Sequence, residues 1–301
     1  MRSELIQASE LLRRNTPEAI EEAIGLLQNT VFSFSMKMCG HRQDAEDTAQ
    51  EVLFRSLKHL GKLESPNALA AWLYTVARNR CYRMRRTPSQ RSERSLSLDE
   101  LIPTESELRN LLEGAGSPEN AAIEGEEHQL LHKAVLRLPA QLRMVLVLHD
   151  MEELSTEQIA KVLDLQHGTV RVRLHRARLA VRKEMARLLQ GVPEHNGVRG
   201  KRKKQPAECR KLFANLSEYL DNRVEPLTCE QMRAHIEQCP ACVAFLRDLR
   251  AAVDRCRSYD VECAPDVAQR IRELMTREYL RLVQGSSDNG SARFPKPPSR
   301  H

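Results

Sequence analysis

Along most of the chain apolar residues recur at steps of three and four, the period of helices with one buried face. Within 43–60, Ala45, Ala49, Val52, Leu53, Leu57 and Leu60 form one stripe, and Asp44, Asp47 and Glu51 lie on the other side. A second helix is predicted over about 67–86, with Leu69, Leu73, Val76 and Ala77 inward. Leu136, Leu138, Leu142, Val145, Leu146 and Leu148 repeat the pattern, broken at Pro139. The helical pattern runs over 17–86 with breaks near Gly40 and Ser65-Pro66, resumes over 128–189, and returns over 206–284. Residues 87–127 are polar and acidic, contain Gly114, Gly116 and Pro118, and read as a flexible linker. Residues 190–205 form a basic linker, and 285–301 (GSSDNGSARFPKPPSRH) a disordered tail. The expectation is an all-α protein with helical domains at 1–86, 128–189 and 206–284.

Composition narrows this. Only 6 Phe, 5 Tyr and 1 Trp occur in 301 residues, so the cores are aliphatic, and Trp72 is expected to be core. With 29% charged residues, no apolar run approaches a membrane span. The N-terminus, MRSELIQASELL, lacks the apolar stretch of a secretion signal, which points to a soluble cytoplasmic protein with no membrane partner. The net charge of +6 is unevenly spread. Asp99–Glu127 holds nine acidic residues against Arg109, whereas Arg78–Arg94, Arg171–Lys183 and Arg199–Lys204 are basic. Separate polyanion-binding faces joined by an acidic connector follow from that asymmetry. Eight cysteines without a secretion signal imply reduced thiols, so a tight Cys/His cluster points to metal before disulfide.

Ser155-Thr156-Glu157-Gln158 is an S-x-x-Q capping box opening a short helix with Ile159, Ala160, Val162 and Leu163. A glycine-containing turn, Asp164–Gly168, precedes a basic helix. On a helical wheel Val170, Leu174, Ala177 and Val181 face inward; Arg171, His175, Arg178 and Arg182 share one flank, with Arg173, Arg176 and Lys183 on the other. This is helix-turn-helix patterning, in which the second helix enters the DNA major groove. Upstream, Arg78, Asn79, Arg80, Arg83, Arg85 and Arg86 crowd the end of the 67–86 helix, where cations suit the helix dipole and phosphate contact. By pattern alone Asp44, Asp47 and Glu51 read as a solvated face. A metal nuclease would need a base and a phosphate loop that do not accompany them.

DAEDTAQEVLFRSL (44–57) followed by AWLYTVARNRCYRMRR (71–86) resembles region 2 of the extracytoplasmic-function (ECF) group of sigma-70 transcription initiation factors. LPAQLRMVLVLHDMEELSTEQIAKVLDLQHGTVRVRLHRARLAVRKEM resembles sigma region 4. The resemblance implies that Asp44, Asp47, Gln50 and Glu51 dock on RNA polymerase core. It implies that the Lys62–Asn67 loop, with Arg78, Asn79, Arg83, Arg85 and Arg86, reads and opens the −10 element by capturing an unstacked base. Gln166, His167, Thr169, Arg171, Val172, His175 and Arg176 would face the −35 element, with Arg173, Arg178 and Arg182 mainly on phosphates. The implied partners are polymerase core and promoter DNA, first double-stranded and then partly melted. The rival reading is a helix-turn-helix regulator that does not support initiation.

His235-Ile236-Glu237-Gln238-Cys239-Pro240-Ala241-Cys242 is the sharpest chemical motif. His235 and Cys239 are i, i+4 on a helix expected to start at a Thr228/Gln231 box, and Pro240 ends it and can open the next, bringing Cys242 near. Such a set suits tetrahedral Zn²⁺, with Cys209 or Cys229 as fourth ligand. Cys…His-x3-Cys-x2-Cys looks like the zinc-binding anti-sigma domain, and that resemblance implies Cys209. It also implies a four-helix domain, and the short basic tether Gly191 to Gln205 keeps that domain close enough for contact with the sigma regions in cis. No H-E-x-x-H pair or other base lies near, so the site reads as structural or regulatory and the protein as no enzyme.

Overall fold

The computed structural model describes residues 2–14, 16–57, 59, 63, 65–84, 97–104, 107–109, 111, 124–189 and 207–287. Lys62, Arg85, Arg86 and the basic linker fall outside them, as does the tail beyond Ser287. Among the described residues the regular structure is helical. In chain order the elements are α1 (Ser3–Arg14), α2 (Pro17–Cys39), α3 (Arg42–Leu57) and α4 (Pro66–Met84), then the single turn α5 (Leu98–Leu101). Next come α6 (Glu124–Arg137), α7 (Ala140–Leu146), a π-helical turn (Val147–Met151), α8 (Thr156–Leu163) and α9 (His167–Leu189). The last four are α10 (Ala207–Leu220), α11 (Pro226–Gln238), α12 (Pro240–Ser258) and α13 (Pro265–Ser287).

Packing divides the chain into two compact units. One comprises Arg2–Ser35, Arg42–Arg80 and Glu262–His301. Its core is aliphatic with few rings: Leu5, Leu27, Leu69 and Leu73 are fully buried, and Phe34 meets Tyr74 edge-on at 5.2 Å. The α3 stripe buries Ala45, Ala49, Val52, Leu53 and Leu57 as its spacing requires. Along α3 lies α13, which buries Val267, Ile271 and Met275 and pairs Arg270 with Glu46 at 3.3 Å and Asp266 with Arg42 at 3.2 Å. Among the described residues four helices follow residue 206, the expected number, but the last of them belongs to the unit of α3 and not to that of the cysteine cluster. Helix α13 also runs to Ser287, past the expected start of the tail.

The other unit comprises Met36–His41 and Cys81–Val261. Helix α9 is its centre, in contact with α5, α6, α7, α8, α10 and α12. Val170, Leu174, Ala177 and Val181 of α9 are all at most 2% exposed, confirming the inner stripe. The segment after α2 turns at Gly40, whose φ of +79° and closeness to the Leu136 side chain leave no room for a Cβ. Arg143 secures that turn by donating to the carbonyls of Met38, Leu136 and Leu138. The expected flexible linker is folded in part. Ser97 and Glu100 form a capping box on α5, Leu101 is buried, and Lys183 donates to the Glu100 carbonyl at 2.7 Å. The acidic, polar composition of the segment hid this apolar anchor.

Candidate nucleic-acid interface and metal centre

On α3, Asp47 is exposed and Asp44, Gln50 and Glu51 are half-buried, all off the apolar stripe. Glu51 is ion-paired with Arg55 at 2.6 Å and with Arg80 at 2.9 Å, so this carboxylate ties α3 to α4. Asn67 is exposed at the start of α4, and Arg78 donates from Nε and Nη2 to Asn79 Oδ1 at 3.1 and 2.8 Å. Arg83 is exposed in the last turn of the helix. Trp72 is half-buried and not fully core; its Nε1 donates to Ser56 Oγ at 3.3 Å and its ring meets His59 at 4.4 Å.

The helix-turn-helix forms as its sequence predicts. Ser155 Oγ accepts from the Gln158 amide at 3.2 Å while Gln158 Oε1 accepts from the Ser155 amide at 2.7 Å. Helix α8 ends on Asp164 in the left-handed region at φ 55°, and α9 starts at His167, two residues ahead of the expected position. Gln166, His167 and Val172 are exposed; Thr169, Arg171, Arg173 and Arg176 are half-buried or more. The flank of Arg171, His175, Arg178 and Arg182 is covered instead by α10 and α12.

Arg178, expected on phosphates, is turned to the chain's own carboxylates in this packing. It is fully buried and donates to Asp150 from Nε and Nη2 at 2.8 and 2.5 Å. Its Nη1 also reaches the Ser217 carbonyl, Ser217 Oγ and Asp221. Burial alone would lower the guanidinium pKa, and the Asp150 carboxylate more than reverses it. In this arrangement the enclosed guanidinium is out of a phosphate's reach. Arg182 is likewise 4% exposed, over the Phe245 ring at 4.6 Å and 3.4 Å from Asp248, which excludes phosphate contact in this arrangement. Arg171 pairs with Glu218 at 2.6 Å, and Arg223 donates to Thr156 Oγ1 at 2.7 Å beside His167. His175 is buried with neither ring nitrogen hydrogen-bonded; burial first, then Arg178 and Arg176, push its pKa down to about 4. The sequence reading missed Asp150, Ser217, Glu218, Asp221 and Asp248. Glu218 and Asp221 are visible as a helix-spaced acidic pair, but only packing places them on α9.

Four donor groups converge at the other end of α10. Cys209 Sγ, His235, Cys239 and Cys242 offer ligand atoms that all lie within 4.8 Å of one another. Cys229, half-buried in the first turn of α11, is not among them. That helix starts at Pro226, with Glu225 as its cap and no side-chain bond, so the expected Thr228 box does not form. Proline at the first helical position satisfies the start by itself, since its missing N–H is one that would lack a partner anyway. Pro240 does end one helix and open the next, leaving Cys239 extended at φ −120° between them. Sγ–Sγ for Cys242 and Cys209 is 3.7 Å, and His235 Nε2 lies 3.5 and 3.4 Å from the Cys209 and Cys242 sulfurs. A tetrahedral zinc site with ordinary bond lengths has S–S edges of about 3.8 Å and S–N edges of about 3.6 Å. The donor set therefore fits such an ion. Burial and the neighbouring Cys239 and Cys209 push the Cys242 thiol up, as expected of packed thiols that ionise only against a cation. Four protein donors would fill a tetrahedral ion's positions, which suits structure and not catalysis.

Comparison with known proteins matches these segments. A Sigma-70 region 2 model matches residues 24–91, a Sigma-70 region 4 model 128–181, and a zinc-finger family model 209–242. The RNA polymerase sigma-H factor of Pseudomonas aeruginosa is 30% identical over 188 residues, covering 61% of this chain and 94% of the relative. The ECF RNA polymerase sigma factor SigW of Bacillus subtilis is 27% identical over 176 residues, covering 58% and 92%. The ECF RNA polymerase sigma-E factor of Escherichia coli K12 is 30% identical over 138 residues, covering 46% and 72%. Sigma factors are initiation factors and not enzymes, and among the described residues no helix is long and apolar enough to cross a membrane. With both sigma regions matched in order and a zinc-finger segment fused behind them, the chain belongs to the ECF group of the sigma-70 family.

Proposed function

We propose that this protein binds RNA polymerase core in the cytoplasm, directs it to promoters and helps open them, under restraint from its own C-terminal segment. Asp44, Asp47, Gln50 and Glu51 dock on core. Asn67, Arg78, Asn79 and Arg83, with Lys62, Arg85 and Arg86, act at the −10 element. Gln166, His167, Thr169, Arg171, Val172 and Arg176 read the −35 element, while Arg173 holds a phosphate and His175 takes part only when uncovered. The observation that carries the reading is the acid-bearing α3, the arginine-bearing α4 and the capped helix-turn-helix in one chain, in the order of the two matched sigma regions. The Cys209/His235/Cys239/Cys242 group holds one Zn²⁺ per chain and fixes α10 against α11 and α12. Restraint is supported by Glu218 on Arg171 and by the cover over His175 and Arg182, which occupy the recognition helix.

Promoter-specific transcription with purified core polymerase tests the function. Core-dependent initiation is expected. Promoter binding without initiation would favour a helix-turn-helix regulator instead.

A further inference from the structure

Outside the metal group a second pair of thiols meets. Cys39 is the last residue of α2 and half-buried; Cys81 is buried on α4; their sulfurs are 3.5 Å apart. A disulfide has an S–S bond of about 2.05 Å, so closure asks for roughly 1.5 Å of approach between the two sulfurs. Cys39 stands beside Gly40, the left-handed residue at which the chain leaves α2, so that the thiol sits at a helix end and not mid-helix. Cys81 lies two residues before Arg83, in the closing turns of α4.

We propose that Cys39 and Cys81 are a redox modification site: a dithiol that a peroxide converts to a disulfide linking the end of α2 to the end of α4. Cys39, the more accessible thiol, attacks the peroxide as thiolate. The O–O bond breaks, Cys39 becomes a sulfenic acid, and the departing oxygen leaves as water or alcohol. Cys81 sulfur then attacks the Cys39 sulfur, the S–O bond breaks, and the hydroxide takes up the Cys81 proton as water. In sum, two thiols lose two electrons and two protons, and the peroxide is reduced by the same two electrons. The cross-link fixes the last turns of the helix carrying Arg83. That consequence rests on the proposed −10 role of α4, whereas the disulfide does not.

Full-length protein, reduced and carrying its metal, is treated with hydrogen peroxide, alkylated, digested and mapped by mass. A linked Cys39–Cys81 peptide pair is expected, about 2 Da lighter than the two thiol peptides together, reversible by dithiothreitol and formed without metal loss. Cys39→Ser abolishes it, and so does Cys81→Ser; the Cys39 position is only half-buried, so that variant keeps the test valid if the other does not fold. Equal alkylation of both thiols before and after oxidation would overturn the proposal, as would Cys39 accumulating as sulfinic acid while Cys81 stays alkylatable. In promoter opening, oxidised wild type should lose activity several-fold while oxidised Cys39→Ser equals its reduced form. A mapped disulfide with undiminished opening would overturn the proposed consequence. Reduced protein that opens no promoter would count against the −10 reading, with the mapped disulfide still standing.

Discussion

Arg178 and His175 share one flank of α9, yet burial acts on them in opposite ways. Arg178 keeps its charge because Asp150, also fully buried, meets it with two bonds. Burial by itself would raise the Asp150 carboxyl, but the Arg178 guanidinium holds it well below the usual carboxylate range. Removing one partner strands the other, so Arg178→Ala should cost about 3–5 kcal/mol in urea denaturation. His175 has no counter-charge and stays neutral, pushed down to about 4. Because its folded pKa is lowered, the unfolded chain takes the proton first as pH falls. Its contribution is complete above about pH 6.5 and is lost towards pH 4, on the order of 3 kcal/mol at most. The Asp150 contribution is present above the ordinary carboxylate pKa and disappears only below it, in a more acid window. Denaturation of His175→Gln and wild type at pH 7 and pH 5 separates the two: the variant should lose less between those values.

The elements that fold as their local sequence dictates are those whose ends are chemically marked. Ser155 and Gln158 satisfy each other's amides at the start of α8, and Ser155→Ala should cost about 0.5–2 kcal/mol. Gly40 is fixed by φ +79° and by Leu136 Cδ1, which lies 2.5 Å from where a Cβ would be. Gly40→Ala should therefore destabilise by more than about 1 kcal/mol, read as a lowered Tm. By contrast Thr228 and Gln231 have the letters of a cap without its geometry, because Pro226 begins the helix two residues earlier. Helix α9 shows the limit of the wheel. Its two flanks are both basic in sequence, and only packing against α10 and α12 selects the Arg171/Arg182 side for cover.

At the scale of the whole molecule the testable quantity is how far the C-terminal segment competes with DNA for the recognition helix. A chain ending after Leu189 should bind −35 duplex about tenfold more tightly than full-length protein, since a tethered segment competes at an effective concentration on the order of millimolar. In the shortened chain Arg171→Ala should cost about 1–3 kcal/mol at a cognate site. In the full chain the cost should be smaller, since Arg171 is already engaged by Glu218. Chelation, or Cys239→Ser, should release the metal, loosen residues 207–258 in hydrogen exchange and move full-length binding towards the truncated value. Equal duplex affinity for the two chains would remove the restraint while leaving the sigma assignment intact.

The order of the sigma regions was legible through family resemblance; residue patterns alone marked the helices, their inward stripes, the capped helix-turn-helix and three of the four proposed metal donors. Each of these is a local property, fixed by periodicity, by a cap or by i, i+4 spacing within one turn of chain. Cys209 was legible only through family resemblance, because a ligand twenty-six residues from His235 is held there by packing of α10 on α11 and α12. Tertiary structure alone decided that α13 lies along α3, that Arg178 belongs to Asp150, and that Glu218 takes Arg171. An amphipathic stripe specifies that a face must be buried, but apolar contact is non-directional and does not name the partner. A surplus of arginines likewise specifies a need for anions without saying whether phosphates or the chain's own carboxylates supply them.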